Sequence, residues 1–380
     1  MSSIRSAPLA NLWRMATLSQ PQRDDAHTLA ETGAGTFPRE STLAFDWLMA
    51  GLGALFIGGL YIDGWAHNHL GRIETFFTPW HAMFYGSFAL LALVLGSYVF
   101  TGLRTSGSWN RAIPRGYEWS VIGVAIFLLA GAGDMVWHIR FGIEHDTEAL
   151  LSPTHLGLAA GMALIFTGPL RAAIARGDDA RGAALWPAVV SLTLLMSGLT
   201  FLVQFAPALA DWGVGVRPPA ADLMEQRLDR ALVSELWINA VMVASVLFLV
   251  RQWGPRLPVG SMTCLIGVNA AIMSTQAGKE YYFAMLPAAI IAAVICDALL
   301  VWLRPSAERI VQFRWFAFLV PFVYWTAHYL DNLARGEHVW WAVHVWAGLP
   351  VICGLMGLML SYLAVTGPAT LRAGAADTPA

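Results

Sequence analysis

Charged side chains are scarce in this sequence. Asp, Glu, Lys and Arg together make up 13% of its 380 residues, and the net charge at pH 7 is −2. A soluble domain carries about twice that charged fraction, and a surface that binds nucleic acid needs clustered positive charge. The composition therefore argues against a soluble domain and predicts no nucleic-acid partner.

Thiol groups are also nearly absent. The sequence has three cysteines, which stand far apart at Cys264, Cys296 and Cys353. None belongs to a C-x2-C pair, the spacing typical of thiolate metal sites, and no disulfide framework is indicated. Any metal ligands must therefore come from histidine and carboxylate side chains.

Apolar residues dominate instead. They make up 57% of the chain, and continuous apolar runs of about twenty residues, each long enough to cross a bilayer as a helix, recur from end to end. Barrel strands would show an alternating pattern. We predict an all-α, polytopic transmembrane helical bundle of about 10 spans in the lipid bilayer, at 44–65, 80–101, 118–139, 154–174, 184–206, 231–252, 259–277, 282–303, 313–333 and 339–365.

The predicted transmembrane domain, 44–366, lies between a polar N-terminal tail, 1–43, and a C-terminal tail, 367–380, that we expect to be disordered. Eleven arginines follow even-numbered spans, whereas seven basic residues are spread over the longer loops after odd-numbered spans. Because positive charge stays on the cytoplasmic side, this asymmetry predicts two cytoplasmic termini in a bacterial inner membrane. The loops after odd-numbered spans then face outward.

One polar motif occurs twice. The pattern D-x3-H, followed by E-x3-[ST]-P-x-H, is formed by Asp63, His67, Glu74 and His81 and again by Asp134, His138, Glu148 and His155. Such self-similarity predicts duplicated helical hairpins at 44–101 and 118–174. A third, degraded copy at 313–365 keeps His328, Glu337 and His344, but Tyr324 replaces the aspartate.

The spacing of this motif has a structural meaning. Aspartate and histidine four residues apart project from the same face of a helix. Thr78-Pro79 and Ser152-Pro153 are typical of a helix N-cap followed by proline. The next histidine then falls in the first turn, where the positive helix end disfavours imidazolium and favours a neutral, ligand-competent ring.

These features predict a metal site at the outer face. The predicted ligands are Asp63, His67, His81, Asp134, His138, His155, His328 and His344, and the predicted supporting residues around them are Glu74, Glu148, Glu337 and Tyr324. A hydrogen-bonded network that locks the hairpins together, or a proton relay, is the alternative interpretation. Imidazole and carboxylate ligands suit copper, zinc or iron, and we expect copper. Haem is less favoured, because the histidines stand at helix ends beside aspartate.

The first copy of the motif also resembles a known family. Asp63-x3-His67-x13-His81 is similar to the D-x3-H-x12-H copper triad in the C subunit of the particulate methane and ammonia monooxygenases. The resemblance implies copper ligation by Asp63, His67 and His81, and by repeat at the second copy. It also implies oxidation of a small apolar substrate with dioxygen, together with other membrane subunits.

Our functional hypothesis from the sequence is a copper-dependent membrane oxidoreductase or oxygenase that acts at the extracytoplasmic face. One alternative is a transporter or delivery protein for copper or zinc. The spans hold few central polar groups, among them Asn239, Asn269 and Gln276, which argues against a proton-coupled carrier. A non-catalytic membrane scaffold or sensor is the other alternative.

Overall fold

The computed structural model describes most of the chain from residue 39 onward. The described residues are 39–70, 76–142, 150–177, 180–204, 221–276, 283, 286–334 and 342–365. All of them belong to one compact unit, Arg39–Ala380. The predicted supporting residues Glu74, Glu148 and Glu337, as well as most of the N-terminal tail and all of the C-terminal tail, lie outside the described residues.

Helices account for the regular structure throughout the described residues, which confirms the predicted all-α membrane fold. Nine of these helices are long and apolar enough to cross a bilayer. We number them α1 Leu43–His69, α2 Pro79–Ser106, α3 Glu118–Phe141, α4 Pro153–Ala175, α5 Gly182–Phe201, α6 Ala221–Gln252, α7 Leu286–Leu303, α8 Ile310–Ala334 and α9 Val343–Ala364. Helix α4 is interrupted at Thr167, and α5 begins with the 3₁₀ turn Gly182–Leu185.

The predicted seventh span, 259–277, differs from the other nine. It consists of a π-helical stretch, Thr263–Val268, a short α-helix, Asn269–Met273, and a 3₁₀ turn, Ser274–Gln276. The carboxylate of Asp297 on α7 accepts hydrogen bonds from backbone N–H groups at the start of this segment. The segment is helical but irregular, so it is not one of the nine membrane-length helices.

Small residues bring the helices of each hairpin together. A Cβ atom added at Gly59 of α1 would lie 2.9 Å from the Cα atom of Phe84 on α2. One added at Gly123 of α3 would lie 2.8 Å from the carbonyl oxygen of Gly161 on α4. Close backbone approach through small residues is the usual way in which membrane helices pack. These contacts hold α1 against α2 and α3 against α4.

Aromatic side chains fill the core between these first four helices. The ring of Phe56 on α1 lies 5.4 Å from Phe84 and 5.1 Å from Phe127 on α3, measured between centroids. The ring of Phe88 lies 4.2 Å from that of Phe127 in a tilted arrangement, and Phe166 of α4 completes the cluster. All five side chains are buried. The cluster joins the two hairpins into one four-helix unit.

A buried ionic network closes one end of this four-helix unit. Arg176 donates to the Asp46 carboxylate at 2.5 Å, and the Tyr117 hydroxyl donates to the other oxygen of Asp46 at 2.8 Å. Burial, and secondly the charge of Asp46, raises the pKa of the Tyr117 hydroxyl. A buried charge is tolerated only when it is paired in this way. The opposite end of the unit, where α1 meets α2 and α3 meets α4, carries the motif residues.

Candidate functional site

The first motif copy forms a compact group of donors, which we call the first triad: Asp63, His67 and His81. Asp63 and His67 lie one turn apart near the end of α1, and His81 lies in the first turn of α2. Thr78 caps α2, because its hydroxyl accepts a hydrogen bond from the His81 backbone N–H at 3.1 Å. The Asp63 Oδ2 atom is 3.5 Å from His81 Nε2 and 4.0 Å from His67 Nε2. The three donor atoms of the triad lie within 4.8 Å of one another.

The second copy forms an equivalent group, the second triad: Asp134, His138 and His155. The Asp134 Oδ1 atom is 3.5 Å from His138 Nε2 and 3.3 Å from His155 Nε2. Ser152 caps α4 by accepting a hydrogen bond from the His155 backbone N–H. Here too, the donor atoms lie within 4.8 Å of one another. In both triads the cap predicted from the sequence places the third donor against a carboxylate on the preceding helix.

The two triads are neighbours. The rings of His81 and His138 lie 6.5 Å apart, centroid to centroid, at an interplanar angle of 28°. Tyr85, one turn after His81 on α2, donates a hydrogen bond from its hydroxyl to Asp134 Oδ2 at 2.9 Å. The ring of Phe76 stacks on His81 and lies 6.0 Å from His138. We call the six triad residues together the twin-triad centre.

The two carboxylates of the centre have different surroundings. Asp134 accepts hydrogen bonds from Tyr85 at one oxygen and from the Thr154 hydroxyl, at 3.1 Å, at the other. Asp63 Oδ1 is buried and has no hydrogen-bond partner among the described residues. The side chain of Asp134 is 2% exposed, compared with 13% for Asp63. The second triad is therefore the more rigidly held of the two.

Each triad combines one buried histidine with one that is partly exposed. The side chains of His81 and His138 are 9% and 5% exposed, whereas those of His67 and His155 are 28% and 26% exposed. The partly exposed ring is on α1 in the first triad and on α4 in the second. An ion or a small ligand can thus approach each triad from one side.

The third, degraded copy does not form a triad in the part of the chain that the structure describes. His328 on α8 is buried, and its Nε2 atom has no hydrogen-bond partner there. His344 lies in the first turn of α9 and is exposed. The physical reason is local. The N-cap residue of α9 is Ala342, which offers no side-chain cap, and Tyr324 stands where the aspartate would be. Tyr324 itself is buried and packs edge-on against Trp325 at 5.2 Å.

The structure also brings in residues that the sequence motif missed. Glu235 on α6 is fully buried, and it accepts a hydrogen bond from the Tyr329 hydroxyl at 2.7 Å. Asn239, one turn later, accepts one from the Trp325 indole N–H at 3.1 Å. An isolated acid inside an apolar span is a signal that can identify Glu235. No sequence signal identifies Tyr85, because its partner Asp134 is on another hairpin.

Comparisons with known proteins give one informative relationship. The chain is 29% identical over 247 residues to the haem A synthase of Rhizorhabdus wittichii strain RW1, an alignment that covers 58% of this chain and 70% of that protein. No protein-family model and no solved structure matches the chain. The protein is therefore an integral membrane protein with buried His/Asp groups and a distant relationship to a haem A synthase.

This relationship corrects two predictions. The resemblance to the C subunit of the methane and ammonia monooxygenases is wrong, because the similarity over 247 residues is to a haem A synthase instead. The ranking of copper first and haem last is wrong for the same reason. Both errors came from a motif of about twenty residues. A pattern this short can arise in unrelated helical hairpins, because i,i+4 pairs and capped first turns are general features of helices.

Proposed function

We propose that this chain is a membrane oxidoreductase that binds haem, with His328 as a ligand of the haem iron. The observation that carries this proposal is the buried Nε2 atom of His328, which has no hydrogen-bond partner among the described residues, in a chain distantly related to a haem A synthase. A buried polar atom without a hydrogen bond costs about 1–3 kcal/mol. Coordination of a metal is one way to recover that free energy.

The twin-triad centre does not fit a haem held between two histidines. Haem iron bound by two imidazoles has the porphyrin nitrogens at its four remaining positions. In the first triad, Asp63 Oδ2 lies 3.5 Å and 4.0 Å from the two Nε2 atoms, so the carboxylate lies in the space that the macrocycle would fill. Asp134 has the same position in the second triad. We therefore assign no haem to either triad.

His328 has surroundings that suit a residue that would hold haem iron. Its side chain is 4% exposed, and the rings of Trp325 and Tyr329 lie edge-on to it at 5.5 Å and 5.3 Å. These aromatic edges restrict the rotation of the imidazole. Haem bound there would supply an iron that changes oxidation state by one electron, and the protein residues around it would tune its potential.

Residues of α6 support this arrangement. Glu235 accepts a hydrogen bond from the Tyr329 hydroxyl, and Asn239 accepts one from the Trp325 indole. Both aromatic rings beside His328 are therefore hydrogen-bonded to a second helix. A ligand that is oriented by such partners binds its metal more tightly than one that rotates freely. The role that we propose for Tyr324 is to extend the aromatic packing around His328, through its contact with Trp325.

The orientation in the membrane is part of the proposal. Arg171 and Arg176 lie at the end of α4 that is remote from its triad histidine, as does Arg104 on α2. The positive-inside rule assigns that end to the cytoplasm, and thus the twin-triad centre to the outer face of a bacterial inner membrane. The N-terminus is then cytoplasmic. We place the C-terminus on the same side, which requires that the irregular segment ending at Gln276 crosses the membrane as a tenth span.

Haem content of the purified protein tests the proposal. The protein is expressed in cells supplied with a haem precursor, and bound haem is measured by the pyridine haemochrome method. We expect haem in the wild type and its loss in His328→Ala, while His344→Ala, which alters an exposed histidine, keeps it. A wild type without haem, or a His328→Ala variant with the wild-type content, would refute the assignment. Gel filtration of each variant controls for folding.

A further inference from the structure

We propose that the twin-triad centre binds two small divalent cations, one in each triad, and that the second triad binds more tightly. This inference is independent of haem binding at His328, because no residue is shared between the two sites. It rests on three features of the described residues: the separation of the donors, the carbonyl contacts of two histidine Nδ1 atoms, and the contacts between the triads.

The donor separations suit a small ion. Three donors about 2.1 Å from one tetrahedral ion lie roughly 3.4 Å from each other. In the second triad, the Asp134 oxygen lies 3.5 Å and 3.3 Å from the two Nε2 atoms. In the first triad, the corresponding distances from Asp63 are 3.5 Å and 4.0 Å. Each triad offers three protein ligands and leaves a fourth position on the partly exposed side.

Hydrogen bonds at the other ring nitrogen leave the Nε2 atoms of His81 and His138 available to bind a cation. His81 Nδ1 lies 2.5 Å from the Phe76 carbonyl oxygen, and His138 Nδ1 lies 3.2 Å from that of Gly142. A carbonyl oxygen only accepts, so each Nδ1 carries the proton. In the neutral ring, Nε2 then presents a lone pair to the carboxylate oxygen 3.5 Å away. Two acceptors that face each other repel, and a cation between them turns this repulsion into attraction.

The same carbonyl contacts are common in established metal sites. A histidine that binds a metal usually donates its other N–H group to a carbonyl or carboxylate, which fixes the tautomer and the ring orientation. His81 and His138 both have this contact, although their carbonyl partners lie in unrelated local structures. The competing interpretation is a pair of imidazolium–carboxylate ion pairs that lock the hairpins and bind no ion.

The order of affinity follows from the two carboxylates. Asp134 is held at both oxygens by Tyr85 and Thr154, whereas Asp63 has one buried oxygen without a partner. A carboxylate that is already oriented loses less conformational freedom on binding an ion. The second triad should therefore fill first. Because His81 and His138 lie only 6.5 Å apart, the charge of the first ion also weakens binding of the second.

The test uses cobalt(II) as the probe. Full-length protein, purified without a histidine tag and treated with a chelator, is titrated with Co²⁺ while the visible absorption is recorded. Bound cobalt is then counted by elemental analysis after desalting. We expect two ions per chain in the wild type and one ion per chain in both Asp63→Asn and Asp134→Asn. The control His344→Ala should still bind two.

Folding is monitored by gel filtration and by thermal unfolding with and without Co²⁺. His67→Gln and His155→Gln, which alter the partly exposed ligands, serve as milder variants and should each retain one ion. A wild-type count other than two, or aspartate variants that still bind two, would overturn the inference. If the folded wild-type protein bound no cobalt, the inference would be wrong and the ion-pair interpretation would apply. Haem content at His328 is read separately, so failure of one proposal does not imply failure of the other.

Discussion

Asp63 and Asp134 occupy equivalent positions in the repeated motif but not equivalent surroundings. The difference arises from Tyr85 and Thr154, which both donate to Asp134. The corresponding position to Thr154 in the first copy is Trp80, whose indole carries no hydroxyl. Two nearly identical motifs are thus made different by a few neighbouring side chains.

The Tyr85 hydroxyl gives a prediction at this scale. Tyr85→Phe removes a hydrogen bond to a buried carboxylate and should weaken Co²⁺ binding at the second triad by about 10- to 100-fold, the usual effect of losing such a partner. Binding at the first triad should change little. The measurement is a Co²⁺ titration monitored by visible absorption.

Tyr98→Phe is the matched control for this prediction. Tyr98 is on the same helix, and its buried hydroxyl has no hydrogen-bond partner among the described residues. Its loss should leave both cobalt affinities unchanged. If Tyr85→Phe had wild-type affinity at both sites, the role that we assign to the Tyr85–Asp134 hydrogen bond would be wrong.

At the scale of helices, the position of each triad depends on how closely two antiparallel helices approach. Gly123 and Gly161 allow α3 and α4 to touch through their backbones. The second triad takes Asp134 and His138 from α3 and His155 from α4, so its donor distances are set by this contact. The glycines lie about two to three turns from the triad. They influence its donor distances because they set the separation between α3 and α4.

Gly123→Ala tests this dependence. The added Cβ atom would lie 2.8 Å from a backbone oxygen that belongs to the other helix, so the helices must separate. We expect a loss of about 1–3 kcal/mol in stability, typical of overpacking, together with weaker cobalt binding at the second triad. Thermal unfolding in detergent and cobalt titration measure the two effects.

Gly96→Ala provides the comparison, because a Cβ atom at Gly96 of α2 would meet nothing within 4 Å. This variant should be at least as stable as the wild type, since alanine has the higher helix propensity. Equal unfolding temperatures and equal cobalt affinities for Gly123→Ala and Gly96→Ala would show that the α3–α4 contact controls neither the stability nor the site.

At the scale of the whole molecule, the irregular segment 261–276 decides the orientation of everything after it. If this segment crosses the membrane as a tenth span, the connection between α8 and α9 lies on the same side as the twin-triad centre. If it does not, α7 to α9 are inverted. The arginine distribution favours the first arrangement.

Cysteine labelling in intact cells tests this topology. Phe77→Cys, at an 80% exposed position beside the first triad, and Val343→Cys, at the start of α9, should react with a membrane-impermeant maleimide. Trp109→Cys and Glu308→Cys, both at exposed positions, should react only after the membrane is permeabilised. The opposite result at Val343 and Glu308 alone would mean that 261–276 does not cross. The opposite labelling result at all four positions would mean that the twin-triad centre faces the cytoplasm.

The sequence by itself determined the helical membrane fold and the composition of each triad. Both follow from local rules: a run of about twenty apolar residues spans a bilayer as a helix, and residues four apart share a helix face. The cap at Thr78 was equally predictable, because its hydrogen bond to His81 joins residues three apart. The comparison with a haem A synthase, by contrast, corrected a cofactor assignment that such a short motif does not support.

Only the tertiary structure decided how these parts combine. The adjacency of His81 and His138, the hydrogen bond from Tyr85 to Asp134, and the burial of His328 all depend on packing between residues far apart in sequence. The start of the irregular 261–276 segment is likewise hydrogen-bonded to Asp297, which lies on a later helix. Helix periodicity specifies which side chains share a face. The neighbours of that face are selected by the close contacts and aromatic packing of the assembled bundle.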